Sequence, residues 1–237
     1  MSPALVLCVY RAGNARIVRR LVRSSLRSGA TVRLWALDRG EPSLSRWTVG
    51  TGPGPKFELA NRMLAAAPVP DDAYVVVADD DVTLALGMGW FLRLARRAAF
   101  DVAMPAHRKH LSNLSHQATL RASWSLARLT EFVEIGPVFA VSPGIRDRVL
   151  PFPGDAGMGW GLEADWYTLR SEAGARLGIV DGAPMRHLTP VATSYPQGVE
   201  RERMAERIRR AGLGGLHEIQ TTLATWRPWQ RTPPWLR

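Results

Sequence analysis

The apolar positions along the chain alternate between two patterns. "ALVLCVY" (4–10) is an unbroken apolar run, the mark of a strand covered on both faces of a parallel sheet. Asn14 then stands where it can cap a helix over 15–28, in which Ile17, Val18, Leu21, Val22 and Leu26 recur at helical spacing before Gly29 ends it. "TVRLWALD" (31–38) predicts a second strand, which completes a β-α-β opening. Residues 39–55 are rich in Gly, Pro and Ser, show no period and read as a loop. A helix is predicted over 56–68, with Phe57, Leu59, Ala60, Met63 and Leu64 toward the core and Pro68 and Pro70 as its stop. "AYVVVADDDVTL" (73–84) follows, a valine strand ending in three adjacent carboxylates.

Beyond this point the signal is less regular. Residues 87–99 predict a helix and "DVAMPA" a short strand. Residues 107–130 mix His, Ser, Asn, Arg and Leu without a period and read as an irregular insertion with some helix. "FVEIGPVFAVS" (132–142) predicts a strand pair or a strand kinked at Gly136-Pro137. "GMGWGLEADWYTLRSEAG" (157–174) predicts a glycine loop running into a helix. "ARLGIVDG" (175–182) predicts a strand, with Arg186 and His187 after a tight turn. From 198 an amphipathic helix leads into a Pro- and Trp-rich tail. Strands alternating with helices indicate an α/β sandwich on a largely parallel sheet.

Composition narrows the class. A hydrophobic fraction of 46% and a charged fraction of 22% over 237 residues suit a globular protein with one main core. No apolar run is long enough to span a bilayer, and basic residues follow the first apolar run instead of preceding it, so the expected compartment is the cytoplasm. The lone Cys8 permits no disulfide framework and reads as a core thiol. The net charge of +10 is carried almost wholly by arginine, and seven arginines lie between Arg11 and Arg33 with no acid before Asp38. That field suits nucleic acid, anionic lipid or a phosphorylated small molecule, or is simply a solvated surface.

The candidate chemistry begins with Asp79, Asp80 and Asp81. In an open α/β sheet, ligands bind beyond the carboxyl ends of the strands. Carboxylates that close raise one another's pKa unless a cation neutralises them, and Mg²⁺ or Mn²⁺ held by one or two carboxylates keeps positions for phosphate oxygens. Capping aspartates in a turn are the plainer alternative. The second candidate is "GMGWGLEADW", where glycines allow close backbone approach, Trp160 offers a face for a sugar ring, and Glu163 or Asp165 is placed to accept a proton. Acids at a helix start also suit the macrodipole. The third is His187, beyond the last strand, a candidate to return to the metal as a ligand.

Strand-"ADDDV", "GWGLEADW" and strand-"RHL", in that order, resemble the motifs of the GT-A glycosyltransferases. "FVEIGPVFAVSP", "GMGWGLEADW" and "RHLTPV" are most similar to a group of actinobacterial glycosyltransferase-like proteins, over roughly residues 4–195. The resemblance implies a GT-A-like, Rossmann-like αβα sandwich with a mostly parallel mixed sheet. It implies a catalytic domain over 1–197, with a nucleotide-binding half to about 100 and an acceptor half from about 101, followed by the helix and tail of 198–237. Asp79 and Asp81 fall on the Asp-x-Asp pair, with Asp80 near the ribose or sugar and His187 as third metal ligand. Trp160 and Gly161 belong to the acceptor loop. The family's base position is taken by Ala164, which leaves the base between Glu163 and Asp165. Asp38 matches a nucleoside contact, Lys56 a diphosphate contact, and Tyr10 and Arg11 would flank the nucleobase.

The implied reaction is metal-dependent transfer of a sugar from a nucleotide-diphosphate sugar to an acceptor hydroxyl on a small molecule, glycan or lipid-linked compound, with inversion. No specific nucleic acid is implied. His107, Arg108, His110, His116 and Arg121 of the insertion would help form the acceptor side. Two alternatives compete. A nucleotidyltransferase would share acids and Mg²⁺, but "YRAGNAR" lacks its glycine-rich signature. A nucleic-acid-binding protein would use the basic charge, with Trp226, Trp229 and Trp235 among the tail arginines. Those tryptophans equally suit packing on the domain or peripheral contact with a membrane.

Overall fold

The computed structural model describes residues 4–190 and 197–237. Residues 191–196, which hold the end of "RHLTPV" and the approach to the expected boundary at 197, lie outside that description. Among the described residues there are ten strands in one sheet: β1 (Ala4–Tyr10), β2 (Thr31–Ala36), β3 (Thr48–Thr51), β4 (Tyr74–Ala78), β5 (Val82–Leu84), β6 (Val102–His107), β7 (Ala127–Thr130), β8 (Val138–Val141), β9 (Leu177–His187) and β10 (Thr222–Trp226). Six helices flank them: α1 (Ala15–Arg27), α2 (Lys56–Ala65), α3 (Met88–Arg97), α4 (Arg146–Val149), α5 (Leu162–Ala173) and α6 (Gly198–Arg210).

The strand order is β10-β7-β9-β6-β8-β4-β1-β2-β3, with β5 attached to β9. On that path only β7 and β8 run against the others, so seven of its nine strands share a direction; β5, off the path, is antiparallel to β9. Within the parallel half, β4-β1-β2-β3, the inner strands β4 and β1 are continuous apolar runs, as strands covered on both faces are. Val6, Leu7 and Cys8 of β1 and Val75 and Val76 of β4 have no exposure.

Several local expectations fail for identifiable reasons. The loop at 39–55 contains a 3-10 turn (Pro42–Trp47) and strand β3, which pairs with β2 although its four residues carry no apolar run. Within the irregular insertion, residues 127–130 form β7, sandwiched between β9 and β10. Only residues 138–141 of the segment 132–142 are a strand. The tight turn expected near Gly182 is absent. β9 runs unbroken to His187 because Gly182 N donates to Leu126 O at 2.8 Å and β5 pairs with its last residues. Leu26, expected in the core, is exposed.

The tail is built into the sheet. Trp226, in edge strand β10, is fully buried and donates from Nε1 to Gln230 O. Trp235 stacks on Phe100 at 5.4 Å between centroids, whereas Trp229 is 70% exposed. Among the described residues no helix is long and apolar enough to cross a membrane.

Candidate functional site

The strands that share a direction present their carboxyl ends at one edge, and the acidic triplet follows β4 there. The chain then turns directly into β5, which pairs antiparallel with the end of β9 and sets Val82 opposite His187. Leu188 N donates to Asp81 O at 3.0 Å. This short ladder joins residues far apart in sequence, so that one ligand atom each from Asp79, Asp81 and His187 lies within 4.8 Å of the others.

Each acid of the triplet has a different partner. Asp79 Oδ1 is 2.6 Å from Lys56 Nζ, which also reaches Gly136 O at 3.4 Å. Asp80 accepts the Arg11 backbone N–H at 2.7 Å and a hydrogen bond from the Asn14 side chain, while burial pushes its carboxyl above the usual range. Asp81 is 3.2 Å from His187 Nε2. Burial works against the charge on Asp81, but the hydrogen bond and charge of His187, with hydrogen bonds from Thr189, hold its carboxyl below the usual range. Burial lowers His187, and the neighbouring Asp81 and Asp79 outweigh it, so the imidazole sits above its ordinary value.

The donor set fits a divalent cation. Two carboxylates and one imidazole suit Mn²⁺, and Mg²⁺ accepts the carboxylates. His187 Nδ1 lies 3.2 Å from Asn113 O, an acceptor, so Nδ1 carries a proton; Nε2 donates to Asp81 when protonated and would offer its lone pair to a bound cation. Ser112 Oγ takes the His187 backbone N–H at 2.8 Å and also meets His107 Nδ1 at 2.7 Å. His107 Nε2 in turn lies 3.2 Å from Glu134 Oε2. Burial opposes the charge on Glu134, yet the His107 hydrogen bond and the surrounding imidazoles hold its carboxyl below the usual range.

The triplet forms one wall of a cavity of about 660 Å³. Lys56, Arg11 and Asn14 bond to the triplet there, and Trp160, Gly161, Glu163, Glu134 and His116 also line the cavity. Glu163 is buried and accepts backbone N–H groups from Ile135 (3.1 Å) and Gly161 (3.1 Å). Burial nevertheless pushes its carboxyl up to about 7, the range in which a carboxylate is useful as a base near neutral pH.

The glycine loop needs its glycines. Gly159 and Gly161 have φ of +97° and +89°; a Cβ on Gly159 would overlap the Phe57 ring, and one on Gly161 would come within 2.8 Å of Met204 Cα. Helix α6 fastens the loop at three points. Glu200 Oε2 accepts Met158 N at 3.0 Å, and Arg207 bridges Asp155 (2.6 Å) and Asp165.

No protein-family model and no curated protein matches the chain. Solved structures do. The structure of GalNAc-T7 with UDP, GalNAc and Mn²⁺ superposes with a TM-score of 0.63 at 8% identity, over 88% of this chain and 48% of that one. The structure of S. aureus TarS 1-349 superposes with a TM-score of 0.53 at 12% identity, over 89% of this chain and 71% of that one. The chain therefore spans about half the length of the GalNAc-T7 chain it matches. The fold is an α/β GT-A-like fold.

Within this GT-A-like frame the structure brings together Arg11, Lys56, Asp79, Asp80, Asp81, Trp160, Gly161, Glu163 and His187 around one cavity. It leaves out three others. Tyr10 is fully buried, with its hydroxyl 3.1 Å from Thr48 Oγ1, because side chains alternate along β1 and only Val9 and Arg11 face the cavity. Flanking a nucleobase is therefore not open to Tyr10. Asp38 points into the turn after β1, accepting Ala12 N at 3.0 Å and Arg39 N at 2.7 Å, and it does not line the cavity. Asp165 is turned outward to Arg207. Of the insertion histidines, His107 is buried behind the wall and His116 lines it, with Nδ1 2.7 Å from Gln220 Nε2. Asn14 reads from sequence only as a helix cap, and of Ser112, Asn113 and Glu134 only Glu134, a charge inside an apolar run, leaves a signal.

Proposed function

We propose that this protein is a metal-dependent glycosyltransferase that moves a sugar from a nucleotide-diphosphate sugar to an acceptor hydroxyl with inversion. The observation that carries this reading is the cluster of Asp79, Asp81 and His187 in a ligand-sized cavity that Glu163 also lines. The known partners of GalNAc-T7 in its crystal structure, UDP, GalNAc and Mn²⁺, make a uridine nucleotide the first donor to test here.

Asp79, Asp81 and His187 would hold Mn²⁺ or Mg²⁺. When bound, the ion stabilises the negative charge that builds on the departing diphosphate. Lys56 adds a fixed positive charge on the same wall, within 2.6 Å of Asp79. Arg11 and Asp80, joined through a backbone hydrogen bond, line the nucleotide side. Trp160 and Gly161 border the acceptor, whether small molecule, glycan or lipid-linked. Glu163 accepts the proton of the acceptor hydroxyl as that oxygen attacks the anomeric carbon from the face opposite the diphosphate. Asp165, occupied by Arg207, holds the loop and takes no part in proton transfer.

The test is calorimetric titration of UDP, GDP and dTDP, and of their sugars, with and without Mn²⁺. Binding of one nucleotide is expected to tighten at least tenfold with Mn²⁺, and Asp81→Asn is expected to remove that gain together with sugar transfer. Manganese-independent binding, or full transfer by Asp81→Asn, overturns the metal assignment.

A further inference from the structure

We infer that helix α1 is a docking surface for an anionic lipid bilayer. Arg16, Arg19, Arg20, Arg23 and Arg27 are all exposed, and at 3.6 residues per turn they fall within an arc of roughly 100° along three turns. No acid precedes Asp38 in the chain. The ion pairs of the described residues leave all five arginines out. Helix α6 is the internal contrast. It is equally rich in arginine, but Arg203 pairs with Glu200, Arg209 and Arg210 pair with Glu206, and Arg207 pairs with Asp155 and Asp165. Four of the five α6 arginines meet an acid of the protein, whereas the α1 arginines leave their charge to the solvent or to an external partner.

The occupant follows from what flanks the stripe. On one side Leu26 is 42% exposed. On the other, Ser24 Oγ accepts Met88 N at 2.8 Å, which seats the start of α3 against α1 and brings in Leu86, 60% exposed, and Trp90, 36% exposed. Cationic side chains bordered by exposed apolar ones match the interface of a bilayer with anionic headgroups, where charge attraction and partial burial of apolar groups add. A nucleic acid would answer the charge but leave both leucines in water. Trp90 is also poorly placed to stack on bases, since Arg93 lies over its ring and its Nε1 donates to Gly182 O at 3.0 Å. This inference rests on the surface of α1 and is independent of the sugar-transfer reading.

The experiment is sedimentation of the full chain with vesicles of phosphatidylcholine containing 30% phosphatidylglycerol, against pure phosphatidylcholine, at several salt concentrations. Binding is expected only to the anionic vesicles and is expected to weaken steeply with salt. The triple variant Arg19→Gln/Arg20→Gln/Arg23→Gln changes exposed side chains only, which a melting curve verifies, and is expected to bind about 100-fold more weakly. Leu86→Ser is expected to bind several-fold more weakly. Equal binding to neutral vesicles, insensitivity to salt, or wild-type binding by the triple variant overturns the inference. So does displacement of the protein from the vesicles by duplex DNA at equal phosphate concentration, which would make α1 a nucleic-acid surface. Loss of binding in Trp229→Ser with retention in the triple variant would move the contact to the tail.

Discussion

The two acidic walls of the cavity use the same functional group to opposite ends. On the first, Lys56 meets Asp79 and His187 meets Asp81, whose carboxyl is held below its usual range. On the second, Glu163 accepts from backbone N–H groups, those of Ile135 and Gly161 among them, and is removed from water, so its carboxyl rises to about 7. Partner chemistry, more than residue type, separates a carboxyl whose charge is favoured from one whose charge is penalised. The two walls are also held differently. The first is an outgrowth of β4, β5 and β9, whereas the second depends on a glycine loop fastened by α6.

The largest effect that separates the walls is expected from Glu163→Gln. Removing a general base costs typically ~10²–10⁴-fold in turnover. Nucleotide binding in the presence of Mn²⁺ should be nearly unchanged, because the hydrogen bonds of Glu163 run to Ile135 and Gly161 and not to the triplet. A variant that lost nucleotide affinity as strongly as Asp81→Asn would show that the walls are not functionally distinct.

The pH dependence gives a second, smaller separation. Glu163 has its folded pKa raised to about 7 from an ordinary 4.5. Between those values the folded state binds more protons than the unfolded state, so this group makes stability fall as pH rises from 4.5 to 7 and has no further effect above. Over that window the loss is about 3 kcal/mol for a shift of this size. Chemical denaturation at pH 5 and pH 8 should therefore show Glu163→Gln gaining on the wild type as pH rises. Asp81, whose folded pKa is lowered, acts with the opposite sign: its contribution is present above the unfolded pKa and lost as pH falls through the folded one. Turnover should rise with pH and level off above about 7 as Glu163 loses its proton. A profile that does not change in Glu163→Gln would remove this residue as the base.

Legibility in the sequence followed the range of the interactions. The β-α-β opening, α2 and β4 show their own periodicity, since each is apolar in proportion to its burial, and Asp79, Asp81 and His187 are nameable as candidate metal ligands through the order of the motifs that hold them. The strands β3, β5, β7 and β10, three to five residues each, exist through pairing with distant partners. Glycine and proline in "DGAP" signal a turn by local rules, and tertiary pairing overrides them in β9. The choice between Glu163 and Asp165 was not local either: Arg207, from a helix expected to lie outside the catalytic domain, turns Asp165 away. Tyr10 and Arg11 differ only in strand parity, which no composition reveals.

The smallest effect concerns a residue whose position suggests one role and whose contacts show another. Asn14 stands at the N-cap of α1, yet its side chain makes no capping hydrogen bond and goes to Asp80 instead. Were it a cap, Asp would serve as well as Asn. As a donor to Asp80, Asn14 offsets the burial of that carboxylate, and Asp in its place adds a fourth acid beside the triplet. Asn14→Ala is expected to cost about 1 kcal/mol of stability and to weaken nucleotide binding no more than several-fold. Asn14→Asp is expected to be the worse of the two at pH 8 and to approach Asn14→Ala near pH 4, where the added acid is protonated. Thermal melts and nucleotide titrations of both variants at the two pH values decide the point. If Asn14→Asp equals the wild type at pH 8, the side chain caps the helix, and Asp80 is held on the nucleotide wall by the Arg11 amide alone.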